Sequence, residues 1–163
     1  MSRIQGGALD PTAAAARLLH VRWLVRAPLF LYRHGTGWAF GRRMLMLEHR
    51  GRRSGEPRYV CLEVVDNPAD AVFVVASGFG DQAQWFRNLQ ANGAAHVSIG
   101  RIRSAPAEVT FLDEDAAAWC LDRYRAQHPR AWKMLRGTIE NASGRPVSEV
   151  PLIALSLIED TDA

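Results

Sequence analysis

From Arg43 onward most of the apolar runs are too short for helices and are separated by glycine, proline and asparagine signals. That punctuation constrains the fold more than any other feature, because a short strand is stable only with partners, and closing the sheet removes its exposed edges. Met44-Leu45-Met46-Leu47-Glu48-His49 reads as a first buried strand, Arg58 to Val65 as a second and Ala71 to Ser77 as a third, with Asn67-Pro68-Ala69-Asp70 as a turn. Gly78-Phe79-Gly80-Asp81 breaks the third strand, and Gln82 to Gln90 reads as a helix with Trp85 and Leu89 on one face. Ala95 to Ile99 and Ala105 to Leu112 add two strands joined through Gly100-Arg101. Asp113-Glu114-Asp115 opens a helix over Ala116 to Leu135, Thr138 to Val147 reads as a loop, and Pro151 to Ile158 as a closing strand. Six short strands with peripheral helices predict an α+β, mainly β fold built on a closed or partly closed barrel.

Upstream the pattern differs. Pro11 to Tyr32 reads as a helix bent at Pro28, with Arg22, Arg26 and Arg33 gathered on one side and Leu24 and Leu31 on others. Such a cationic amphipathic segment either lies on an anionic membrane surface or packs on its own domain with its arginines in water. The chain therefore divides into an N-terminal helical segment, residues 1–40, and a barrel, residues 41–163, within one domain. A hydrophobic content of 48% in 163 residues is enough for one core.

The net charge of +3 conceals an asymmetry: from Arg17 to Arg58 there are ten arginines against only Glu48 and Glu56. The two cysteines, Cys61 and Cys120, form neither a CxxC pair nor a zinc pattern, which points to a reducing cytoplasm. The N-terminal stretch is a poor signal peptide, and no uncharged run is long enough to span a bilayer. There is no GxSxG elbow, no P-loop and no HExxH, and the five histidines are scattered, so hydrolase and metal-site readings lose their support. No metal is expected. His49 and His96 read as structural strand histidines. Basic charge alone does not make a nucleic-acid binder, and no recognition motif or aromatic interleaving accompanies it.

Two stretches carry more chemical content. In Arg50-Gly51-Arg52-Arg53-Ser54-Gly55-Glu56-Pro57-Arg58, glycines free the backbone for close approach, so that amide N–H groups and the Ser54 hydroxyl can converge on an anion. Arg52, Arg53 and Arg58 add forked donors shaped for phosphate or carboxylate. The same residues also make an ordinary solvated turn. Val74-Val75-Ala76-Ser77-Gly78, followed by Gln84-Trp85-Phe86-Arg87-Asn88-Leu89, puts small residues at a strand end where a planar ligand can approach, or else forms a turn and a core-filling helix.

In this order and spacing, Gly51-Arg52-Arg53-Ser54-Gly55-Glu56-Pro57-Arg58, Ala76-Ser77, and Trp85-Phe86-Arg87-Asn88-Leu89 with Ala91-Asn92 resemble the deazaflavin-dependent nitroreductase family. The match is close over Arg43 to Leu112. The resemblance implies a split β-barrel related to flavin reductases and pyridoxamine-phosphate oxidases, and coenzyme F-420 as cofactor, a planar deazaflavin with a phosphate and an oligoglutamate tail. It further implies that Arg52, Arg53, Ser54 and Arg58 hold the phosphate and tail. Val60, Leu62, Ala76, Ser77 and Gly78 would line the ring and linker, and Trp85, Phe86 and Asn88 would complete the wall. The implied reaction is hydride transfer from C5 of the reduced cofactor to a quinone, nitroaromatic or activated alkene, with a proton from water, Ser77, Tyr59 or Tyr124.

Two departures stand out. A lysine common after the Ala-Ser pair is Gly78 here, and the region where some relatives present tyrosines reads His128-Pro129-Arg130-Ala131-Trp132-Lys133-Met134-Leu135. The acceptor is thereby open. FMN or haem binding, and a membrane-associated or cofactor-carrying module without turnover, are the alternatives. The resemblance also implies a homodimer, and the expected location is cytoplasmic, peripheral on the inner face of the membrane through the N-terminal helix.

Overall fold

The structure, a computed structural model, describes residues 41–158, without the side chains at positions 142 and 143. The helix expected over Pro11 to Tyr32 lies outside the described residues. Six strands, β1 (Met44–Arg50), β2 (Pro57–Ala69), β3 (Val72–Ala76), β4 (Ala95–Ile99), β5 (Ile102–Phe111) and β6 (Leu152–Leu157), form a closed antiparallel barrel in the order β1-β2-β3-β6-β5-β4. This is the predicted closure, and it leaves none of these strands with an unpaired edge. Among the described residues three α-helices accompany it: α1 (Gln84–Asn92), α2 (Glu114–Gln127) and α3 (Pro129–Ser143).

Alternation along each strand sorts the side chains. Leu45 lies opposite Leu62, and Leu47 lies opposite both Val60 and Val97. These inward rows join Phe73, Val75, Ile153 and Leu155 in one interior cluster, to which α1 adds Trp85, Phe86 and Leu89. On β1 the inward row Leu45, Leu47 ends at His49, opposite Arg58 on β2 and Ala95 on β4. The apolar interior thus gives way to polar groups at one end of the barrel, beside α1. A second cluster forms outside the wall, where α2 and α3 pack Leu121, Tyr124 and Ile139 over Val65, Val74 and Leu152.

Three expectations are corrected. The single helix over Ala116 to Leu135 is two helices, because Pro129 has no N–H to donate to the preceding turn and forces His128 out of helical conformation, at φ −132° and ψ 60°. The expected loop from Thr138 to Val147 is largely helical: α3 runs to Ser143 and ends at Gly144, whose φ of +67° suits a helix C-cap. Burial of Ile139 against the barrel outweighs the weak helix propensity of Gly137 and Thr138. Asn67-Pro68-Ala69 is not the turn but the end of β2, carried on an irregular register with the reversal at Asp70-Ala71. The Asn67 side chain holds that irregularity by donating to the carbonyls of Ala69 and Val72, both at 2.6 Å. The start of α2 is as read, with Asp113 accepting from the Ala116 amide at 2.8 Å.

Candidate functional site: an acid-free arginine cleft

The turn between β1 and β2 is closed by its own backbone. Gly51 N–H donates to Glu56 O at 2.9 Å, and Gly55 N–H donates to Gly51 O at 2.7 Å, with Gly55 at φ +70°. The Glu56 amide donates to Ser54 Oγ at 3.3 Å, so the Ser54 hydroxyl keeps its proton for another acceptor. Gly51 is buried, and a methyl group there would lie 2.6 Å from Ser54 Oγ and 2.9 Å from Arg58 Nε. Only glycine lets those two side chains close over this point of the backbone.

Helix α1 fixes the turn from outside through three amide side chains spaced by one helical turn each. Gln84 Oε1 accepts from Arg52 Nη1 at 2.9 Å. Asn88 Oδ1 accepts both the Arg52 backbone N–H, at 3.1 Å, and Arg52 Nη1, at 3.0 Å. Asn92 Nδ2 donates to Arg50 O at 3.0 Å. The adjoining side of α1 carries Trp85 and Leu89 into the interior cluster, so the helix is anchored by apolar burial while its amides grip the turn.

The result is a cleft of about 190 Å³ lined by Gly51, Arg52, Arg53, Ser54, Arg58, Gln84 and Asn88. No carboxylate is among the lining residues. Three guanidinium groups, a free hydroxyl proton and a glycine floor make a donor set suited to phosphate and carboxylate oxygens. Behind the cleft, His49 is 4% exposed and its Nδ1 lies 3.1 Å from Asn88 Nδ2. Burial, and then the Arg58 guanidinium, push the His49 pKa down to about 4 against a smaller opposing pull from the Arg50 backbone.

Residues 26–136 match the family described as F420H(2)-dependent quinone reductase. The chain belongs to that family. The Mycobacterium tuberculosis protein named "Putative F420H(2)-dependent quinone reductase Rv3178" is 38% identical over 90 residues, covering 53% of this chain and 75% of the relative. Among solved structures, an F420-H2 dependent reductase, FDR-A, matches with a TM-score of 0.51 at 19% identity, covering 71% of this chain and 96% of that one. HutZ, a haem storage protein of Vibrio cholerae, matches with a TM-score of 0.51 at 15% identity over 79% of this chain and 91% of that one. The structural likenesses establish the split-barrel fold and no more. Family membership makes the chain an oxidoreductase that uses coenzyme F-420.

In this F420H(2)-dependent quinone reductase family member, the cleft gathers Arg52, Arg53, Ser54, Arg58 and Asn88 from two elements distant in sequence. Gly51 lies in the cleft as the turn motif implies, whereas Gln84 and the backing His49 are members that the sequence motif does not point to. Gln84 could have been found from its i, i+4 spacing to Asn88 on a helix whose adjoining side is apolar. The residues expected around the ring are not brought into the cleft. Val60 and Leu62 continue the inward row of β2 beyond Arg58 and pack partly buried against the interior. Trp85 and Phe86 are buried in that interior, edge to face at 5.8 Å, and Phe86 meets the half-exposed Phe111 at 5.2 Å. Ala76 ends β3 against the outer cluster, and Gly78 lies near Ile139.

The three candidate proton donors are also dispersed. Ser77 is fully buried and donates its hydroxyl proton to Gly80 O at 2.6 Å. Tyr124 is buried under α2 and donates to Glu63 Oε1 at 2.6 Å, and burial followed by Glu63 raises its pKa. Tyr59, 39% exposed, presents its side chain to solvent.

Two predictions follow from this geometry. Gly51→Ala should weaken binding of an anionic ligand by about tenfold, because the new methyl group displaces Ser54 and Arg58 from the cleft. Parallel titration and thermal melts should show the affinity loss without a comparable drop in Tm, since both displaced side chains are exposed. The second concerns pH. His49 is neutral in the fold, whereas an unfolded chain protonates it below about pH 6.5. Stability should therefore fall as pH drops from about 6.5 towards 4, by about 3 kcal/mol in all from this one group. Among the described residues, it lies opposite Arg58 on β2 and Ala95 on β4 and beside Asn88 on α1 and the Arg50 backbone, and Arg58 is the charged group acting on it. Urea unfolding across this range should show a shallower loss in His49→Gln than in the unaltered chain.

Proposed function

We propose that the chain transfers a hydride from reduced coenzyme F-420 to a quinone, and that the arginine cleft holds the phosphate and carboxylate tail of the cofactor. The observation that carries this reading is a cleft with three guanidinium groups and no acid, floored by a glycine whose Cβ would close it. The residues present fit the anionic half of the cofactor. Arg53 and Arg58 present exposed forks, Ser54 offers a hydroxyl proton, and Arg52, held by Gln84 and Asn88, offers its remaining N–H donors in a fixed direction. When bound, the cofactor supplies the hydride donor at C5, and what the protein supplies is position and charge.

A quinone as acceptor is supported by the family's description and by the name of the mycobacterial relative. Reduction of a quinone needs one proton for each hydride. Tyr59 and water are the sources we favour, because the hydroxyls of Ser77 and Tyr124 are buried and already donating. A reducing cytoplasm suits two free, buried cysteines. The homodimer implied by the resemblance is a separate expectation, read by sedimentation.

Titrating the protein with oxidised F-420 and with FMN, followed by tryptophan fluorescence, tests the cofactor. Saturable F-420 binding that is tighter than FMN binding is expected; no saturable response to F-420 sinks the proposal. Consumption of reduced F-420 with menadione tests the acceptor, and binding without turnover would leave a carrier in place of an enzyme.

A further inference from the structure

We propose that His49 is a positioning residue for the arginine cleft: as an acceptor behind Asn88 it fixes the direction of that amide, and Asn88 in turn holds the turn and Arg52 ready for an anion. The inference rests on the cleft being the cofactor's anion site. The order of the hydrogen bonds follows from donor and acceptor capacity. Arg52 has only donors, so the atom of Asn88 that meets its backbone N–H and Nη1 must be the carbonyl Oδ1. That leaves the NH₂ of Asn88 facing His49 Nδ1 at 3.1 Å. Nδ1 must then be a lone pair, with the ring proton on Nε2. A protonated ring would set N–H against NH₂, and an amide turned to suit it would set NH₂ against two donors of Arg52.

The relay is polar, uncharged along its length until Arg52, and shielded at its core: His49 is 4% exposed and Asn88 is 3% exposed. Shielding makes each missing partner costly, because a buried amide N–H without an acceptor has no water to turn to. It also explains why a histidine ends the otherwise apolar inward row of β1. Leucine in that position would fill the space but leave the Asn88 NH₂ without a partner. The amide would then be free to rotate, and the turn would lose both bonds from Oδ1 together.

The test compares His49→Leu, His49→Gln and Asn88→Ala. In the free protein, hydrogen exchange read by NMR should show the Arg52 backbone amide protected, because it donates to Asn88 Oδ1. Exchange should accelerate about tenfold in His49→Leu. It should be largely restored in His49→Gln, whose carbonyl supplies an acceptor in place of the ring nitrogen. The affinities for F-420 and for inorganic pyrophosphate should each fall about tenfold in His49→Leu, with the loss in turnover appearing in the apparent KM for the cofactor more than in kcat. Adding His49→Leu to Asn88→Ala should cost little further, since both act through one amide. Retained protection of the Arg52 amide in His49→Leu, or losses that add fully in the double variant, overturns the relay. If the unaltered protein binds no F-420 while Arg52 exchange still accelerates in His49→Leu, the relay stands and the proposed function falls.

Discussion

Arg52→Ala should weaken F-420 binding by about 10- to 100-fold, more than Arg58→Ala, although both remove one guanidinium from the same cleft. Arg52 does two things at once. Its Nη1 binds Gln84 and Asn88 and so ties the turn to α1, while its other donors face the cleft. Losing it removes a charge-assisted contact worth about 1.5–3 kcal/mol and also loosens the groups around it. Arg58 lies on the exposed side of the cleft, where water screens part of its charge. A loss of about 1–2 kcal/mol is expected there, read in the same titration and diminishing as salt is raised. Equal losses for the two variants would remove the bracing role assigned to Arg52. Unchanged affinity in both would return the turn to a plain solvated loop.

The largest effect on the fold should come from Phe73→Ala. Phe73 is 0% exposed in the barrel interior, on a strand held by β2 on one side and β6 on the other. Removing a buried aromatic ring from so closed a space should cost about 3–5 kcal/mol, a large part of the net stability of a domain this size. Urea unfolding monitored by far-UV circular dichroism measures it. A loss under about 1 kcal/mol would mean that the barrel collapses readily into the space.

Much of the barrel was readable because closure depends on local alternation. The runs from Met44 to His49, Ala95 to Ile99 and Pro151 to Ile158 show their strands directly, and structure and sequence agree there within a residue or two. What failed depended on tertiary partners. Gly137 and Thr138 look like loop residues until Ile139 is seen buried against the barrel, and Asn67-Pro68 looks like a turn until the Asn67 side chain is seen bonding across an irregular strand. Pro129 is the exception, a helix breaker visible in the sequence itself.

At the site, the arginine turn announced itself by composition, but composition could not say which arginine braces and which is free to bind. That distinction required Gln84 and Asn88, more than thirty positions along the chain, to be brought against Arg52. His49 looks like a structural strand histidine in the sequence because nothing in its neighbours Glu48 and Arg50 points to Asn88. The order of elements carries the family resemblance.

Helix α1 is only nine residues long, yet one side packs the barrel interior while the side next to it grips the arginine turn. A substitution at Trp85 or Leu89 that shifts the helix moves the amides beside them as well, because all sit on one short rod. Affinity in such a protein can therefore drift through mutations that never touch the ligand-facing surface. A lineage could retune its cofactor or acceptor preference by altering the greasy side of one short helix, leaving every arginine in place.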